Sequence, residues 1–247
     1  MSNPIAVVLA AGKGTRMKTD RPKVLCEALG RPLVDYVLDT LQQSGVQRTL
    51  VVIGYRSEQV RAALAGRGGV EFVEQKQQLG TGHAVQVCRE QLVGHDGPVL
   101  VVTGDSPLIQ ATSVRRLLDE YESGRPACIL GTLHKADPRG LGRIVRDESG
   151  RFTGIVEEKD ASDQQRRITE VNMSVYVFHG PDLLQALQRL GTDNRQGEYY
   201  LTDCPGILKA EGKDVRALPV LQPCEALSVN TLDELQIVEE ELRKLGH

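Results

Sequence analysis

The residues best suited to chemistry sit in one polar stretch, L-A-A-G-K-G-T-R-M-K-T-D-R-P-K-V-L, spanning residues 9–25. It interleaves Gly12 and Gly14 with Lys13, Arg16 and Lys18, and Lys23 follows shortly after. Glycines expose backbone N–H groups, and flexible cations beside them can enclose a triphosphate and neutralise charge building on a phosphorus under attack. Arg16 offers a forked donor to two oxygens, whereas Lys23 acts as a point charge. Two familiar phosphate loops do not fit. A Walker A loop needs GxxxxGK[ST], but Gly14 follows Gly12-Lys13, and Val7 occupies the first glycine position. A dinucleotide fingerprint accepts Gly12 and Gly14 but meets Met17 where a small residue must allow close helix–strand packing. A solvated basic loop, with glycines only for turning, fits the same composition equally well.

Further candidates lie downstream. Asp105 ends an apolar run, at the carboxyl edge where α/β sheets collect ligands, and its hard oxygens suit Mg2+. Asp-Ser-Pro is also ordinary turn chemistry. His83 invites a general-base role, but an attacking phosphate oxygen is already anionic and needs no deprotonation. A packing or hydrogen-bonding histidine is the preferred reading. Glu157 and Glu158 are adjacent, so on a strand they point to opposite faces and only one can meet a ligand. Asn172 interrupts an apolar run and needs partners, from a sugar or from neighbouring backbone. Thr202 or Asp203 can cap a helix whose first turn accepts Pro205.

The elements that must hold these residues follow from hydrophobic pattern. Residues 5–10, 49–55, 70–74 and 98–105 read as strands, and continuous apolar runs among them imply a parallel sheet covered by crossover helices. Helices are expected over 33–43, from 55 to Leu64, from about Thr81 to Leu92, and over 113–122. After residue 125 the strand-like pieces ACILGTL, GRIVRD, FTGIVEE and EVNMSVYVF predict antiparallel strands extending the sheet. Helices follow near 181–190 and 202–211, then a strand in VRALPV and a final helix over 231–245. One compact domain is expected, with its halves over 1–125 and 126–230 and a C-terminal helix over 231–247. No interdomain linker or internal repeat interrupts it.

Composition narrows the class. The 247 residues are 40% hydrophobic and 26% charged, with a formal net charge of −3, which suits a globular protein and argues against general nucleic-acid binding. Five cysteines without a CxxC pair favour reduced thiols in a cytoplasm over a disulfide framework or structural zinc. No signal peptide or membrane-spanning run is evident.

The opening loop with its P-K-V-L resembles the sugar nucleotidyltransferases, and most closely the uridylyltransferase domain of bifunctional N-acetylglucosamine-1-phosphate uridyltransferases. QLGTGHA (78–84), TGDSPLI (103–109), GLGRIVRD (140–147), GIVEEKDAS (154–162), EVNMSVYVF (170–178), QGEYYLTD (196–203) and SVN (228–230) continue the resemblance in family order across nearly the whole chain. It implies an α/β, Rossmann-like nucleotidyltransferase fold with a mixed, mostly parallel central sheet flanked by helices. The implied reaction joins N-acetylglucosamine 1-phosphate to UTP with Mg2+, giving UDP-N-acetylglucosamine and pyrophosphate. Arg16 and Lys23 would stabilise the reacting phosphate. Leu9, Ala10, Ala11, Gly12, Lys13, Gly14 and Thr15, with Gly104, would surround the nucleotide, and Gln75, Gly80, Thr81 and Gly82 would face the base. Asp105 and Asn230 would hold Mg2+, and Gly140, Glu157, Asn172 and Thr202 would contact the sugar.

The sequence departs from the family pattern in several places. The usual Tyr-Gly-Asp is Thr103-Gly104-Asp105, the usual Gly-Tyr-Gly is Gly140-Leu141-Gly142, and the usual Asn-Thr-Gly is Asn172-Met173-Ser174. These residues would border the reacting groups and the sugar, so reaction class is more firmly implied than acceptor. The 247 residues contain no hexapeptide-repeat acetyltransferase domain, so acetyl transfer is not expected and the trimer made by that domain is not inherited; the oligomeric state stays open. Two alternatives remain: the same chemistry on another sugar 1-phosphate or nucleotide, and a UDP-sugar sensor without turnover.

Overall fold

The structure, a computed structural model, describes residues 3–14, 20–229 and 231–247. Its centre is a nine-stranded sheet in which β11 (Val215–Leu218), β7 (Cys128–His134), β10 (Glu170–His179), β6 (Pro98–Thr103), β1 (Ile5–Ala10), β4 (Arg48–Ile53) and β5 (Val70–Glu74) lie side by side. β8 (Gly142–Arg146) pairs with β10 and with β9 (Phe152–Val156). β1, β4, β5 and β6 run parallel, as their unbroken apolar runs require. The later strands are only partly antiparallel. β10 is reversed between β6 and β7, so β7 and its parallel neighbour β11 resume the direction of the first four. Apolar pattern reports burial on both faces, and that burial is the same for either strand direction.

Alternation along each strand sends side chains to two cores. On one face Ile5, Val7, Leu50, Val52, Val99 and Val101 meet α3 (Thr81–Gln86), α4 (Arg89–Leu92), α7 (Gly180–Leu187) and α8 (Asp203–Ala210). On the other, Ala6, Val8, Val51, Ile53, Leu100 and Val102 meet α1 (Leu33–Gln43), α2 (Ser57–Ala63) and α5 (Ala111–Gly124). Each fully buried Val, Leu or Ile contributes about 1.5–3 kcal/mol before chain entropy is charged against it. A smaller cluster packs α9 (Leu232–Lys244) through Val238 and Leu242 against Tyr36 and Leu33.

Most helix bounds agree with the periodic pattern to within two residues. The expected helix from Thr81 to Leu92 is broken, because the amide of Cys88 turns back to Val85 O, three residues away, and the helix restarts at Arg89. A short hairpin, β2 (Glu27–Ala28) and β3 (Arg31–Pro32), was not anticipated. Its turn puts Leu29 at φ 51 and Gly30 at φ 75, and the Leu29 amide donates to Glu239 Oε1 of α9 at 2.9 Å. α6 (Asp163–Arg166) is likewise new, started by a reciprocal cap between Ser162 and Gln165.

Candidate functional site

The chain passes from β1 to β4 and β5 on one side, then returns to β6 on the other side of β1. That reversal leaves a crevice beyond the carboxyl ends of β1 and β6, the position at which open α/β sheets bind ligands. A cavity of about 280 Å³ lies there, lined by Leu9, Ala11, Gly12, Gly14, Lys23 and Asp105, with Gln75, Gly80, Thr81 and Glu198 opposite. Its volume is near the lower end of the roughly 300–1,000 Å³ of small-molecule sites.

At this crevice the Lys23 ammonium meets Asp105 Oδ2 at 2.5 Å, with the two side chains 15% and 25% exposed. Lys23 opens a short 3-10 turn in which Val24 and Leu25 are buried, so the apolar pair anchors the lysine that precedes it. Gly14 is what lets the stem pass: it has φ 64, and a Cβ there would stand 2.6 Å from Lys23 Cβ. Asp105 follows Gly104, whose amide donates to Leu9 O at 2.9 Å and keeps β1 and β6 joined to the edge of the crevice.

The segment after β5 forms the opposite wall. Gln75 is buried; its amide nitrogen donates to Gly80 O at 3.0 Å and faces His83 Nδ1 at 3.1 Å. His83 therefore has the hydrogen-bonding role expected of it. Gln78 donates to Gln75 O at 3.0 Å and also lines the cavity. The glycines of this segment answer to the protein itself. A Cβ on Gly80 would meet Tyr199 O at 2.5 Å, and one on Gly82 would meet Leu190 Cδ1 at 2.4 Å. The Gly82 amide donates to Tyr199 O at 2.7 Å and the Tyr199 amide to Leu79 O at 2.9 Å. Thr81 Oγ1 accepts from the Leu201 amide at 3.1 Å.

That same 198–202 segment leads to the second group of candidates. Thr202 is buried and donates its hydroxyl to Glu157 Oε1 at 2.9 Å. It stands at the start of α8 yet makes no capping bond, so the capping role expected of it gives way to Glu157; Asp203 lies in the first turn, favourable to the helix dipole. Burial pushes the Glu157 carboxyl above its ordinary range, and the neighbouring Asp203 and Asp160 add to the shift against the Thr202 hydrogen bond. Asp203 is raised as well, first by burial and then by Asp160.

Asn172 is buried in a bulge of β10. The register with β7 slips between Asn172 and Val175; before the slip β10 pairs with β8 and after it with β6. Asn172 Nδ2 donates to Tyr176 Oη at 2.7 Å, and its Oδ1 accepts from the Ser174 amide at 3.2 Å, so neighbouring groups satisfy it. Ser174 sits at φ 55, which explains the glycine usual in the family pattern at this position. Asn172 pairs with Gly142 across the ladder, and a Cβ on Gly142 would stand 3.5 Å from Asn172 Cβ and 3.6 Å from Glu157 Oε1. Gly142, Asn172 and Glu157 therefore share one face.

Some sequence candidates stand apart from the cavity lining. Ala10 is in the core, Lys13 lies 5.5 Å over the Tyr55 ring, Gly82 and Gly104 serve packing and pairing, and Gly140 is exposed in a turn. Thr15, Arg16 and Asn230 lie outside the described residues. Val24, Gln78, Ala84 and Glu198 line the cavity without having been singled out, and Thr103, named above as a departure from the family pattern, lines it as well. Val24, Gln78, Ala84 and Glu198 fall within quoted motifs, but nothing in their residue types separates them from their neighbours. Among the described residues no group of three or more His, Cys, Asp or Glu side chains could hold a metal ion, and no helix is long and apolar enough to cross a membrane.

Comparison with known proteins agrees with this geometry. The model of the MobA-like NTP transferase domain matches residues 6–204. The bifunctional protein GlmU of Chromohalobacter salexigens is 46% identical over 233 residues, covering 94% of this chain and 50% of that protein. GlmU of an Exiguobacterium species is 44% identical over 239 residues, covering 97% of this chain and 52% of that protein. The chain thus spans about half the length of the curated relatives it matches. A crystal structure of UDP-glucose pyrophosphorylase complexed with UDP-glucose superposes with a TM-score of 0.77, covering 99% of this chain and 100% of that one, at 19% identity. The fold is the expected Rossmann-like one. With its sheet, its switch-point crevice and these matches together, the chain belongs to the MobA-like NTP transferase domain family and is a nucleotidyltransferase.

Proposed function

We propose that the protein transfers UMP from UTP to N-acetylglucosamine 1-phosphate, releasing pyrophosphate and UDP-N-acetylglucosamine. The observation that carries this reading is the meeting of Lys23 and Asp105 beside the Gly12–Gly14 loop, at the switch point of the sheet. Two relatives above 40% identity are bifunctional proteins GlmU, and the motifs that resemble the uridylyltransferase domain run through this chain in order; together these support uridine and the amino sugar.

In this reading residues 1–125 carry the nucleotide and 126–230 the sugar. The triphosphate lies along Ala11, Gly12 and Gly14, whose backbone approaches it closely because no side chain intervenes at the glycines. Gln75 and the Gly80–Thr81 turn border the base, and Glu157 with Thr202 accepts and donates hydrogen bonds to the sugar. The attacking phosphate oxygen is anionic, so the protein supplies orientation and positive charge instead of a base. Lys23 neutralises charge building on the α-phosphate, with Arg16 as the forked donor expected from the loop.

Asp105 would hold a divalent cation, with Asn230 as the second ligand the resemblance implies. A single hard carboxylate facing a phosphate site fits Mg2+, which keeps waters and phosphate oxygens in its shell. When bound, the cation polarises phosphate oxygens and offsets their charge.

The test is pyrophosphate release with UTP, Mg2+ and a panel of sugar 1-phosphates: N-acetylglucosamine, glucosamine, glucose and N-acetylgalactosamine. Other nucleoside triphosphates serve as controls. Preference for UTP and N-acetylglucosamine 1-phosphate is the expected result. Activity confined to another sugar would overturn the acceptor and direct attention to Thr103, Leu141 and Met173. Nucleotide binding with silence across the panel would overturn catalysis in favour of a sensor.

A further inference from the structure

One charged side chain lies behind the proposed sugar face and has no part in the chemistry above. Arg143 on β8 is 1% exposed, yet carries a guanidinium. Its Nη2 donates to Glu158 Oε2 at 2.6 Å and to Arg166 O at 3.3 Å, and its Nη1 donates to Leu141 O. Its buried Nε meets no acceptor among the described residues.

Ladder register gives this cluster its meaning. Arg143 pairs with Val156 on one side and Val171 on the other, so those residues share a face. Glu158, in the turn that follows β9, reaches Arg143 on that side. Gly142, Asn172 and Glu157 occupy the opposite face, as their close approach confirms. Arg143 therefore ties the 140–142 turn to the segment 157–166 from the back, while the front carries the sugar candidates Glu157 and Asn172 with Gly142 beside them. Within that segment the amides of Asp160 and Ala161 both donate to Glu157 O, at 3.0 and 2.9 Å, which fixes the backbone bearing the Glu157 carboxylate.

We propose that Arg143 is a positioning residue for the acceptor: through Glu158 and the carbonyls of Leu141 and Arg166 it sets the spacing of Gly142, Glu157 and Asn172. This rests on the reading that their face takes the sugar of a sugar 1-phosphate. Stability alone is a poor reason for such a group, because well-packed apolar residues often replace buried ion pairs without loss. A planar fork that reaches three acceptors on two segments is, by contrast, a means of holding distance and angle. Lysine, whose three donors share one nitrogen on a flexible stem, cannot reproduce it.

The test compares native protein with Arg143→Met, Arg143→Lys and Glu158→Ala. It measures KM for UTP and for the sugar 1-phosphate separately, UTP affinity by calorimetry, and amide hydrogen exchange. In Arg143→Met the acceptor KM is expected to rise about tenfold while UTP KM and Kd stay within about twofold. Arg143→Lys should fall between Met and native. Exchange protection should drop at Asp160 and Ala161 and persist at Gly82. Should Arg143→Met fail to fold, Glu158→Ala carries the test, since the Glu158 side chain is 31% exposed and does not face Gly142 or Asn172. An equal rise in both KM values, an unchanged acceptor KM in a folded variant, or unchanged protection at Asp160 and Ala161 would each overturn the proposal. Exchange reports the clamp without turnover, whereas absence of turnover in the native protein would count against the functional reading instead.

Discussion

Glu157 illustrates how little of a side chain's behaviour is set by its type. Burial, with Asp203 and Asp160 nearby, holds its carboxyl above the ordinary value of 4.5. A group whose folded pKa is raised contributes stability that is fully present below the unfolded value and lost as pH rises through the folded one. Glu157→Gln keeps an acceptor for Thr202 and removes the titration. Its stability relative to native should therefore be least below pH 4.5, grow as pH rises from there through the raised value, and level off above it. Urea denaturation of both proteins across that range checks this; a flat or shrinking difference would rule it out. Strand alternation puts Glu157 and Glu158 on opposite faces; both in fact lie just past the end of β9, yet they still diverge, Glu157 toward Gly142 and Thr202 and Glu158 toward Arg143. Only one of them was expected to meet a partner, whereas 31% exposure and the Arg143 contact make Glu158 a bridge to the interior. The two residues are distant in sequence terms from any charge pattern that would announce the pair.

At the scale of elements, the loop between β5 and α3 and the segment before α8 act as one unit. Their backbones exchange hydrogen bonds at Leu79, Gly82 and Tyr199, and the glycines exist to permit that approach. Gly82→Ala would set a methyl carbon 2.4 Å from Leu190 Cδ1 and 2.9 Å from Tyr199 O. Relieving that overlap should cost about 1–3 kcal/mol, read from the urea midpoint. Gly12→Ala, with nothing within 4 Å of its Cβ, should change stability by less than about 0.5 kcal/mol. Equal losses in the two variants would count against this account. The glycines of Q-L-G-T-G-H-A were legible as a special segment but not as a packing seam, because their partner lies more than a hundred residues away. Turn chemistry was hidden for a different reason. The Leu29-Gly30 turn has the backbone of an Asn-Gly turn, but its first residue is a leucine tied down from α9.

Over the whole molecule, the two faces of one sheet absorb nearly all the apolar pattern, and the cysteines follow it. Cys26, Cys88, Cys128 and Cys204 are buried free thiols, and Cys224 is half-buried. Burial pushes the Cys88 thiol up to about 12, and Cys128 and Cys204 are raised well above their usual range. Burial, with Glu225 and Glu241 nearby, raises the Cys224 thiol too, but it alone is not fully buried, so a thiol reagent such as an aromatic disulfide should label about one group per folded chain first, at Cys224. The other four should react on unfolding, and Cys224→Ser should remove the fast phase. Fast labelling of two or more thiols would contradict the packing. Composition alone had already favoured free thiols, but it could not rank them, since burial is a property of the assembled sheet.

By itself the sequence determined most of the elements and the class of fold. Short continuous apolar runs between turn residues read as strands covered on both faces, periodic ones as amphipathic helices, and the glycine–cation loop after the first strand ends where ligands collect. It also brought forward Lys23 and Asp105, which meet at 2.5 Å although 82 positions separate them in the numbering (105 − 23). Tertiary structure decided the rest: the return of β7 and β11 to the direction of the first four strands, the bulge at which β10 passes from β8 to β6, the seam at Gly80 and Gly82, and the burial of Arg143. Each of these depends on which distant segment fills the space beside a residue. A hydrophobicity pattern records only that the space is filled, not by whom.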